Sequence, residues 1–131
     1  MNNNDIFDRL VPVLGQNEDL VGAYLFGSRA AGDSTVESDV DIGIFFEQKI
    51  GLHRLVEIQI AVEEVIGLRV DLVDLRTAGA YLALDIVRGV RFLCADHFRC
   101  DEFELLVLSR AGDLAPFERQ RRNSLLGMGA S

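Results

Sequence analysis

The sequence predicts one α+β domain, readable equally as α/β: a mixed sheet of about four strands with flanking helices and a C-terminal helical tail. Three observations carry that prediction. Short apolar runs of strand length alternate with longer stretches whose apolar residues recur at helical spacing. Glycines stand where the helical stretches stop. The chain has 131 residues, 49% hydrophobic and 26% charged, which suffices for a buried core and is too apolar for disorder.

Residues 1–15 read as a helix, with Ile6, Phe7, Leu10, Val13 and Leu14 on one side and Gly15 as the stop. Residues 21–26 (VGAYLF) form a first buried strand, and Ser28 can cap a short helix after it. Residues 38–47 (SDVDIGIFFE) form the second strand. Residues 53–67 are an amphipathic helix that turns Leu55, Ile58, Val62, Val65 and Ile66 inward and ends at Gly67. Residues 68–75 (LRVDLVDL) are the third strand, 80–89 a helix closed by glycine, and 90–95 (VRFLCA) the fourth strand. From residue 96 the pattern is helical again, with Pro116 opening a fresh turn and the last residues fraying. The whole chain, 1–131, reads as a single domain with a motif core over 21–95 and a C-terminal helical segment over 96–126.

Charge and cysteine usage exclude several classes. Thirteen basic residues against 21 acidic leave a net charge of −8, the wrong sign for gripping nucleic-acid phosphates. The basic cluster ERQRRN at 118–123 reads as a solvated helix face. An acidic chain could pair with a basic protein partner. Cys94 and Cys100 are too few for a disulfide framework or a four-ligand zinc site and read as reduced thiols. The first ten residues lack a signal-peptide pattern and no apolar run reaches the roughly 18 residues of a membrane span. A cytoplasmic protein without membrane contact is expected.

The chemistry concentrates between Gly27 and Asp71. Asp39 and Asp41 interrupt the apolar series Val40, Ile42, Ile44, and strand alternation puts both carboxylates on one face, roughly 6.5–7 Å apart. Without a counter-charge they repel each other by about 2–3 kcal/mol at an effective dielectric near 20. Hard divalent cations with oxygen ligands offset that, and magnesium takes one or two carboxylates together with substrate phosphates. Asp71 and Asp74 point to opposite faces of their strand, so only one can join the pair. Asp71, set between Val70 and Leu72, is the one that needs a reason; Asp74 at the strand end reads as solvated or capping. Three carboxylates can hold two ions about 3.5–4 Å apart, which suits in-line displacement at phosphorus. Gly27 permits close backbone approach, and Ser28 offers a hydroxyl and the amides behind it to an anion.

Arg29 reads either as a phosphate contact or as a surface residue. Ser38 reads as a strand-entry or capping residue, and secondarily as one that orients Asp39. His53 and His97 have no partner at ligand spacing and read as structural or exposed. Tyr24 reads as core and Tyr81 as a helix residue, either of them a conceivable self-modification site.

The stretch FGSRAAGDSTVESDVDIGI, a Gly-Ser pair followed after ten residues by Asp-x-Asp, resembles the signature of the DNA-polymerase-β-like nucleotidyltransferase superfamily. Its size and the form GSRAAG…SDVDI are similar to the minimal nucleotidyltransferase (MNT) branch, the antitoxins of HEPN ribonuclease toxins. The resemblance covers residues 21–95. It implies the nucleotidyltransferase fold, triphosphate binding at Gly27 and Ser28 with Arg29 as the next candidate contact, two Mg²⁺ ions held by Asp39 and Asp41, and Asp71 as ligand of the ion that activates the attacking hydroxyl. It further implies ATP as substrate and transfer of AMP to a tyrosine of a cognate HEPN toxin in a hetero-oligomer. The alternatives are a binding-only antitoxin and an aminoglycoside-type small-molecule nucleotidyltransferase.

Overall fold

The computed structural model describes residues 1–32 and 39–114, the side chains of 113 and 114 excepted. Ser38, Pro116, the basic cluster at 118–123 and the chain end read as frayed lie outside the described residues.

Helix α1 (Asn3–Leu14) starts because Asn2 and Asp5 cap each other. The Asn2 side chain accepts from the Asp5 amide at 2.9 Å, and the Asp5 carboxylate accepts from the Asn2 amide at 3.2 Å. Ile6, Leu10 and Leu14 form its fully buried stripe. Strand β1 (Leu20–Phe26) is buried along its whole length and leads into the single turn α2 (Ser28–Ala31). Then follow β2 (Val40–Phe46), α3 (Leu52–Ile66), β3 (Val70–Asp74), α4 (Ala80–Val87), β4 (Val90–Cys94) and α5 (His97–Leu114). Helix α3 ends at Gly67, whose φ of 70° is the left-handed conformation glycine adopts without steric cost.

The sheet is mixed, in the order β3-β2-β1-β4. β1 runs antiparallel to both β2 and β4, while β2 and β3 are parallel, joined by the α3 crossover. Both faces are covered. Val40, Ile42, Ile44 and Phe46 of β2 join α1 and α3 in one core. Phe45 joins Val21, Tyr24 and Phe26 of β1, Ala83 and Ile86 of α4, and Phe103 and Val107 of α5 in a second. Gly43 makes the second packing possible, since a side chain there would run into Ile86.

Two differences from the sequence reading concern residues outside the site. Cys94 and Cys100 are joined as a disulfide, not left as two reduced thiols. Gly22, with no side chain to occupy the space, lies opposite Cys94 in the sheet and admits the Cys100 sulfur. Asp74 is buried, not solvated. It caps the turn after β3, its carboxylate accepting from the amides of Arg76 at 3.0 Å and Ile50 at 3.2 Å. Tyr24 is core, as its pattern implies, and its hydroxyl donates to Glu104 at 2.6 Å. Arg91 donates to the same carboxylate and to Asp101, both at 2.8 Å, so the phenol is closed off from modification. Tyr81 is exposed on α4 and His53 pairs on the surface with Glu57.

Candidate active site

One end of the sheet gathers the residues with chemistry. Asp41 and Asp71 are register partners on the parallel strands β2 and β3. Their neighbours at even positions, Val40, Ile42, Val70 and Leu72, enter the α1–α3 core, so both aspartates occupy the opposite face. Asp41 is half-buried, whereas Asp71 and Asp39 are exposed. Burial and the neighbouring charges of Asp71 and Asp39 push the Asp41 carboxyl above its ordinary range. Two further acids therefore act on the Asp41 carboxyl, Asp71 across the parallel pair and Asp39 two residues earlier in the chain. Among the described residues, no three His, Cys, Asp or Glu side chains close into a metal-sized cluster. Their chemistry nevertheless fits a hard divalent ion: oxygen donors only, two of them side by side on one face, with like-charge repulsion that a cation would relieve.

Gly27 ends β1 directly against this group. Its φ of 76° with ψ of −155° is a backbone state open to glycine and strained for other residues, and a side chain there would collide with the Asp41 carboxylate. The β1–β2 pairing explains the contact, since Phe26 lies opposite Asp41. Ser28 opens α2, exposed beside the turn.

Arg29 is not a surface residue. It is 4% exposed, and its guanidinium donates to the Met1 carbonyl at 3.4 Å while its own carbonyl accepts from the Asn3 side chain at 3.1 Å. Met1 packs on the α1–α3 core, so this bond joins α2 to the chain start.

Beyond Gly27, on the β4 side, lies a cleft of about 410 Å³ lined by Phe26, Gly27, Ala30, Ala31, Asp85, Arg88 and Gly89. Gly89 fits under the Leu25 carbonyl, where any side chain would collide with the β1 backbone. The sequence signal for this wall, an Arg-Gly pair closing α4, reads only as a helix stop. A larger groove of about 730 Å³ lies at the other end of β2, where Arg76 stacks on Phe45 and Phe103. It is remote from the carboxylates.

Comparison with known proteins shows the family and the fold. The family described as "Polymerase beta, Nucleotidyltransferase" matches residues 8–98. A curated relative, protein adenylyltransferase MntA of Thermococcus cleftensis, is 35% identical over 69 residues, 53% of this chain and 70% of its own. A toxin–antitoxin crystal structure with AMP-PNP superposes with a TM-score of 0.77 at 22% identity, over 92% of this chain and 98% of the other. The MNT antitoxin in complex with tri-AMPylated Shewanella oneidensis HEPN toxin gives 0.73 at 19% identity, over 94% and 98%. At these identities the structural likenesses speak for the fold. Among the described residues, no helix is long and apolar enough to cross a membrane.

Proposed function

The chain belongs to the polymerase beta nucleotidyltransferase family, and from that premise we propose that it is the antitoxin of a toxin–antitoxin pair, transferring AMP from ATP to a tyrosine of a cognate HEPN toxin. The observation that carries this reading is the Gly27 turn held against Asp41, with Asp71 beside it in register. The adenylyltransferase name of the Thermococcus relative and the tri-AMPylated toxin of the Shewanella complex support the choice of reaction and partner.

In this reading Asp39, Asp41 and Asp71 hold two Mg²⁺ ions, which when bound would neutralise charge developing at the α-phosphorus. Asp71 stands on the side from which the acceptor hydroxyl enters. Asp41, packed against Gly27, fixes the distance between the carboxylates and the phosphate turn. The bare Cα of Gly27 and the hydroxyl of Ser28 receive the triphosphate. Arg29 acts as a positioning residue that ties this turn to the chain start, instead of meeting phosphate on an open surface. The reactants are thus aligned before the bond changes, which is where most of the rate gain in such a transfer arises.

The test is intact-mass measurement of the cognate toxin after incubation with this protein, ATP and Mg²⁺. A gain of one or more AMP groups, absent with Asp39→Asn/Asp41→Asn, is the expected result. A tight complex without mass gain would replace this reading with a binding-only antitoxin. Neither gain nor complex would point to a small-molecule acceptor of the aminoglycoside kind.

A further inference from the structure

The cleft beyond Gly27 has no part in the reading above, yet it lies in line with the carboxylates. The strand order β3-β2-β1-β4 sets Asp71, Asp41, the Gly27 turn and the Arg88–Gly89 turn in one row across the end of the sheet. With neighbouring strands about 4.8 Å apart, the row spans about 14 Å. Helix α4, which carries Arg88 at its C-cap, packs on the same sheet face as Asp41, because Ile86 sits against Gly43 two residues further along β2.

In-line displacement fixes a direction along this row. The acceptor oxygen bonds to the α-phosphorus as the α–β bridging P–O bond breaks. That bond's electron pair departs on pyrophosphate, and the hydroxyl proton passes to solvent. Attack and departure occur on opposite sides of phosphorus. With the acceptor entering beside Asp71, pyrophosphate leaves toward Gly27 and the cleft behind it.

We infer that Arg88 is the cation that receives the leaving pyrophosphate. Its side chain is exposed at the cleft and engages no hydrogen-bond or ion-pair partner among the described residues; Asp85 lines the same cleft without pairing to it. Arg29, the arginine adjacent to the Gly-Ser pair, is by contrast buried against Met1. A guanidinium free of internal partners offers the forked donors that match phosphate oxygens, and the ions held by three carboxylates leave much of the triphosphate charge uncompensated. This inference rests on the nucleotidyltransferase reading.

Calorimetric titration with Mg²⁺·pyrophosphate, Mg²⁺·AMP-PNP and AMP separates the two. Arg88→Ala is expected to bind pyrophosphate and AMP-PNP about ten- to a hundredfold more weakly, with AMP affinity unchanged. Arg88→Lys, which keeps the charge but not the fork, is expected to fall between. The melting temperature should not move, since the side chain is exposed. Wild-type pyrophosphate affinity in Arg88→Ala, or an equal loss for AMP and pyrophosphate, overturns the inference and leaves the nucleotide site standing. A wild-type protein that binds neither AMP-PNP nor pyrophosphate overturns both.

Discussion

Strand β3 carries two aspartates three residues apart, and they live under opposite rules. Asp74 is 4% exposed and satisfied, accepting amide hydrogens from Ile50 and Arg76. Asp71, at the other end, is solvent-exposed and faces another carboxylate, Asp41, across the parallel pair. One is buried because donors come to it. The other sits where its charge raises the proton affinity of its neighbour. A fold that needed only stability would have no use for the second arrangement, so the contrast sets an acid that holds the structure against acids whose proposed role is to hold a ligand.

The largest effect expected from breaking this contrast is on activity. Asp39→Asn/Asp41→Asn should lower AMP transfer by at least about a hundredfold while the circular dichroism spectrum stays native. Loss of folding in that variant would mean these carboxylates are structural. Gly27→Ala comes next. It places a methyl group against the Asp41 carboxylate in a backbone state that costs a non-glycine residue about 1–3 kcal/mol, so both stability and transfer should fall.

Asp74→Ala should cost about 1–3 kcal/mol in urea denaturation, because two amides lose their acceptor, with the transfer rate of the folded protein unchanged. The sequence alone suggests near silence for that substitution, and the burial of Asp74 is the reason to expect otherwise. The smallest effect should be that of Tyr24→Phe. Losing the hydroxyl contact to Glu104 should cost about 1 kcal/mol in the same denaturation experiment and leave transfer intact.

Much of the site is legible along the chain because strand parity is a local rule. Asp41 and Asp71 lie side by side on one face and Asp74 does not share it, while Asp39, expected on that face, precedes the first residue of β2. The inward residues Ile58, Val62 and Ile66 of α3 follow from helical spacing in the same way. What parity cannot carry is contact between distant segments. The amide of Ile50 reaches Asp74 from the loop after β2, and Met1 reaches Arg29 from the chain start. The pairing of Cys94 with Cys100 depends on the bare Gly22 across the sheet. The order β3-β2-β1-β4, which lines up Asp71, Asp41, Gly27 and Arg88, is likewise set by strand pairing that no single stretch encodes.

The sign of the pH dependence sharpens the same point. The Asp41 carboxyl is raised by burial and by Asp71 and Asp39, so the folded chain holds this proton more tightly than the unfolded chain. Its contribution to stability is full below the ordinary value of 3.8 and is lost as pH rises through the raised value. At neutral pH, ionised Asp41 is therefore a cost, which a divalent cation should offset.

The most direct measurement is the melting temperature of wild type and Asp41→Asn at neutral pH, each with and without Mg²⁺·AMP-PNP. An acid kept for a ligand predicts that Asp41→Asn melts higher than wild type without ligand, and that Mg²⁺·AMP-PNP raises wild type alone. A lower melting temperature for ligand-free Asp41→Asn, with no response of wild type to Mg²⁺·AMP-PNP, would contradict it and place Asp41 with Asp74 among the structural acids.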